Sequence, residues 1–73
     1  MPEIFRDAEP GQMFFLTYTD DLMIKIRPLR LEDGTVVNAV SADTGVAFCV
    51  KEEARLLNRS EKNKLKKEMS DKA

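Results

Sequence analysis

At 73 residues, 42% of them hydrophobic and 34% charged, the chain is at most one domain and is too apolar to be a disordered segment. Chains this short bury only about 60% of the surface they expose when unfolded, so a single core leaves a thin margin that a partner, a dimer contact or a docked tail would widen. The net charge of −1 and a pI near 5.4 argue against a binder driven by the phosphate backbone, although the halves differ: residues 1–50 hold four basic and eight acidic side chains, residues 51–73 eight basic and five acidic.

The lead-in, residues 1–12, carries the apolar pair Ile4-Phe5, and Phe5 is expected to plug one end of the core. Asp7-Ala8-Glu9-Pro10-Gly11 is turn chemistry, with proline fixing φ at one corner and glycine accepting positive φ at the next. Met13 to Tyr18 reads as the first strand. Phe14, Leu16 and Tyr18 fall on one face and Met13, Phe15 and Thr17 on the other, so both faces are largely apolar and both need cover.

After a turn at Thr19-Asp20-Asp21, Leu22, Ile24 and Ile26 alternate with Met23, Lys25 and Arg27, the pattern of a half-buried strand. Pro28 cannot donate to a ladder and marks an edge, a bulge or a bend, after which Leu29 and Leu31 resume the pattern with Arg30 outward. Asp33-Gly34 predicts a two-residue type I′ hairpin leading into Thr35–Ala42 as the middle strand of a meander. Asp43-Thr44-Gly45 predicts a second tight turn, with Gly45 in the left-handed region. Val46, Phe48 and Val50 alternate with Ala47, Cys49 and Lys51 as the next strand.

Ala54–Leu57 is compatible with a last short strand or with part of a helix. From Ser60 onward good helix formers dominate, with Ser60 as N-cap, Glu61 in the first turn, and only Leu65 and Met69 as an apolar stripe. The expected fold is mainly β: a small SH3-like antiparallel barrel or bent meander of four to five strands over residues 1–57. A charged helical or frayed tail follows over residues 58–73.

Phe5, Gly11, Phe14 or Phe15, Lys25, Asn38-Ala39-Val40, Thr44-Gly45 and Phe48 together resemble a small domain of bacterial and phage proteins. That domain has the pattern F-x-x-L-x-x-G-x-x-F, a central lysine, N-A-V and T-G. The resemblance spans about residues 5–57, and Ala8 stands where the pattern prefers leucine, which should thin the core there. It implies a bacterial or phage origin and brings no catalytic activity to carry over.

Nothing in the chain is a catalytic signature. Histidine is absent and Cys49 is the single cysteine, so the commonest general base, an internal disulfide and an ordinary zinc site in a monomer are all missing. Cys49 lies mid-strand and lacks the base and electropositive setting of a nucleophile. The acidic pairs Asp20-Asp21 and Glu32-Asp33 match no calcium loop, and turn preference accounts for them. No enzyme, cofactor or metal is expected. No signal peptide is recognisable at the start and no apolar run approaches a membrane span, so a cytoplasmic setting without membrane contact is expected, and the Asn58-Arg59-Ser60 sequon carries no weight there.

Two functional readings follow. The first is a non-enzymatic protein-interaction module, an accessory protein binding a partner or itself as a homodimer through Met13, Phe15, Val36 and Val40, because the strands carry more apolar surface than so small a core can hide. The alternative is a small nucleic-acid-binding barrel using Lys25, Arg27 and Arg30 with the basic tail, where Arg55, Arg59, Lys62, Lys64, Lys66 and Lys67 lie and Lys62 and Lys66 are the expected contacts.

Overall fold

A computed structural model describes residues 2–71, with the side chains of residues 69–71 outside the description. Its elements are β1 (Met13–Phe14), β2 (Met23–Arg30), β3 (Val36–Ser41), β4 (Ala47–Phe48) and one helix, α1 (Arg59–Asp71), preceded by a 3-10 turn at Phe5–Asp7. The four strands form one open antiparallel sheet in the order β1-β2-β3-β4, a meander with β3 between β2 and β4. Among the described residues the sheet does not close into the barrel expected.

Phe5, Ala8, Phe14, Leu16, Met23, Ala39, Val50 and Leu56 make the core cluster, packed on one face of the sheet. Phe5 is fully buried and meets Phe14 edge-on, with ring centroids 5.6 Å apart. It plugs the core as its place in the sequence implies. The Pro10-Gly11 turn forms as read: Gln12 N–H donates to Glu9 O at 3.0 Å and Gly11 has a φ of 93°.

The first strand is much shorter than Met13–Tyr18. After Phe14 the chain leaves β2, because Phe15 and Leu57 exchange two backbone hydrogen bonds of 2.8 Å. The segment holding Leu57 also pairs Arg55 with Ile4, so residues 54–57 are extended and lie between the lead-in and Phe15. Phe14 and Leu16 are buried as their alternation suggests, but Tyr18 has turned out to solvent and is 66% exposed.

The alternation in β2 runs opposite to the expected one. Met23 pairs with Phe14 and is buried, whereas Leu22, Ile24 and Ile26 are only half-buried and Ile24 lies on the outer face. Register decides this, since every side chain changes face on a one-residue shift. Pro28 sits where the β2–β3 register shifts between Lys25 and Leu29, the irregularity its missing N–H calls for. Beyond it Leu29 and Leu31 are exposed, past the reach of the core.

The first hairpin is not type I′. Gly34 N–H donates to Leu31 O at 3.0 Å, Leu31 N–H donates to Thr35 O at 2.7 Å, and only Gly34 has positive φ, at 90°. This is a three-residue loop with glycine in the left-handed position, a geometry that spares Asp33 a positive φ. The second turn is as expected, with Gly45 at φ 76°. The strand after it keeps only Ala47–Phe48, while Val50 reaches the core held by the Asn38 side chain.

The helix begins one residue before Ser60, and its cap is Asn58. Glu61 N–H donates to Asn58 Oδ1 at 2.7 Å, and Asn58 N–H donates to Glu61 Oε1 at 3.1 Å. The two side chains satisfy each other's backbone donors as a capping box. No helix among the described residues is long and apolar enough to cross a membrane.

Candidate functional site

The outer face of the sheet, opposite the core, is the feature that stands out. Met13 pairs with Ile24, Ile24 with Val40, and Val40 with Ala47. Directly paired residues project to the same side of a sheet, so these four form an unbroken apolar row across all four strands. Met13 is 49% exposed, Ala47 is exposed, and Ile24 and Val40 are half-buried. Val36, two pairs of residues along β3 from Val40, shares this face and is 37% exposed.

Met13, Val36 and Val40 therefore project to the same face, with Val36 toward its far end. Phe15 does not join them at the surface. It is 7% exposed, its backbone is tied to Leu57, and the guanidinium of Arg59 lies 5.3 Å above its ring. Phe15 instead helps line a cleft of about 340 Å³ beside the row, together with Met13, Leu22, Leu57 and Arg59. Ile24, Ala47 and Arg59 belong to this region and carry no sequence signal of their own. Only the strand register and the helix start bring them in.

The basic residues do not gather into one surface. Lys25 lies on the core side of the sheet, opposite Ala39, and its ammonium donates to the carbonyls of Phe5 at 2.8 Å and Ala8 at 2.7 Å. It also sits 4.4 Å from the centre of the Phe5 ring. Phe5 O already accepts from Ala8 N–H at 3.1 Å and takes the ammonium as a second donor, while Ala8 O lies at the end of the 3-10 turn, where a cation is a natural donor.

Lys62 is 3% exposed, and its ammonium donates to Leu16 O, fastening α1 to the body. Arg27 and Arg30 are exposed on β2, and Arg30 pairs with Val36. Lys66 lies 3.8 Å from Asp20 across an exposed gap. Of the five cations expected to contact nucleic acid, two are thus turned inward.

The acidic turn residues serve the turns. Asp21 Oδ2 accepts from Ser41 Oγ at 3.0 Å, and Asp33 Oδ1 accepts from Thr35 N–H at 2.9 Å. The latter bond, chiefly through the Thr35 backbone with its hydroxyl adding to it, holds the Asp33 carboxyl below the usual carboxylate range. Cys49 is a free, exposed thiol. No protein-family model matches this chain, and no curated protein or solved structure matches it.

Proposed function

We propose that the chain is a non-enzymatic protein-interaction module that docks a protein partner on the outer face of its sheet. The observation that carries this reading is the row Met13–Ile24–Val40–Ala47, four apolar side chains in register on a face the core does not use. Surface of this kind is costly to leave wet in a small domain and is typical of binding faces. An accessory role in a bacterial or phage complex suits the chain's size and the resemblance of residues 5–57. A photo-crosslinking residue placed at Val40 should give a saturable adduct with one protein or with a second copy. The same residue at exposed Glu53 should not; equal labelling from both positions, or none, would remove this reading.

The nucleic-acid reading is left with Arg27, Arg30 and the rest of the basic tail, Lys66 included, since Lys25 and Lys62 are engaged with carbonyls. Labelled single- and double-stranded oligonucleotides at low salt are its test. Electrostatics are least screened there, and an unchanged signal ends it.

A further inference from the structure

Two arginines lie at the ends of the face that carries the apolar row. Arg30 stands opposite Val36 at one end of the face, and Arg59 lies over Phe15 beside Met13 at the other. Neither makes an ion pair with another described residue, whereas Arg55 and Lys66 each have a carboxylate at 3.8 Å. Asp43, just past the end of β3, accepts at Oδ2 from the backbone N–H of Leu22 at 3.4 Å. The body of the chain is acidic over residues 1–50, so two guanidinium groups at the ends of this apolar face, without an ion pair among the described residues, run against the average charge.

We infer that the occupant of this face is an apolar segment of another protein that carries carboxylates at its flanks. It would lay its apolar side chains on Met13, Ile24, Val40 and Ala47 and present acids to Arg30 and Arg59. Guanidinium groups favour planar, paired contact with carboxylate, and such complementarity sets orientation and partner choice. A second copy of this chain fits less well, because its own face offers arginines at the same two places. The inference rests on the docking face proposed above and adds the chemistry of what binds there.

The test is a titration of the full isotope-labelled chain with two short peptides, one alternating leucine with glutamate and one alternating leucine with lysine. The glutamate peptide should shift the amides of Met13, Ile24, Val40 and Ala47 and bind at least about tenfold more tightly than the lysine peptide, a difference of ~1.4 kcal/mol. The double variant Arg30→Gln, Arg59→Gln should abolish that preference, and Arg6→Gln, on the distant 3-10 turn, should leave it. Equal binding of both peptides at this face overturns the charge inference and leaves the docking face standing. Binding of neither peptide, with a dimer formed through Val40 in sedimentation, makes the occupant a second copy. A monomer whose outer-face amides respond to neither peptide counts against both.

Discussion

Asn38 is buried, and its amide spans the gap where β4 has ended. Its Nδ2 donates to Val50 O at 2.8 Å, and its Oδ1 accepts from Val50 N–H at 2.7 Å. One side chain thus replaces two rungs of a ladder and lets Val50 enter the core without a regular strand. Asn38→Ala would leave two buried backbone groups without partners and should cost about 3 kcal/mol in denaturant unfolding. A loss under about 1 kcal/mol would mean that water or a shifted strand takes over both bonds.

Asp33 gives a pH dependence at the same scale. Its folded-state pKa is lowered, so its contribution is present above the unfolded carboxylate range and is lost as pH falls through the folded value. A carboxyl NMR titration should place its midpoint below that of Asp33 in a short unstructured peptide, and Asp33→Asn should remove that part of the acid dependence of hairpin stability. An Asp33 midpoint equal to the peptide's would contradict the bond to Thr35.

The helix shows how one donor atom sets an element's start. Asn58 and Glu61 bridge each other at its N-terminus, while Ser60 lies inside the first turn. Asn58→Ala should cost about 1 kcal/mol, and Ser60→Ala should stay within about 0.5 kcal/mol, as read by thermal unfolding. The reverse ranking would move the cap to Ser60. That a helix occupies this stretch is legible from its composition, and so is an acidic residue in the first turn. The choice between Asn58 and Ser60 is not, since both are good caps and Glu61 is the third residue only from Asn58.

How α1 meets the body is equally hidden. Among its described side chains the buried one is a lysine, reaching Leu16 O at 46 residues' separation, where a helix stripe is ordinarily apolar. Long aliphatic stems allow this burial when the ammonium finds acceptors. Lys62→Ala should therefore lower the protection of helix amides in hydrogen exchange and destabilise the chain by about 2 kcal/mol. Unchanged helix protection would show that contacts other than the Lys62 bond dock the helix.

For the whole molecule, the meander, its two hairpins and the bulge at Pro28 are legible from turn chemistry and period-two alternation. Which face of β2 turns inward is not. Leu22, Ile24 and Ile26 are the more apolar set, yet Met23 and Lys25 face the core side, because Phe14 pairs with Met23 and the 3-10 turn supplies acceptors for Lys25. Those are contacts between segments remote in sequence, and a local pattern carries no trace of them. The same inversion creates the open apolar row, so the fold and the proposed docking face stand or fall together.

The most direct test is solvent accessibility of methyl groups, read by NMR line broadening from a soluble nitroxide at low protein concentration. The methyls of Met13, Ile24, Val40 and Ala47 should broaden strongly, while those of Leu16, Met23, Ala39 and Val50 stay sharp. Broadening of Met23 with protection of Ile24 and Val40 would put the opposite face of the sheet outward and contradict the account.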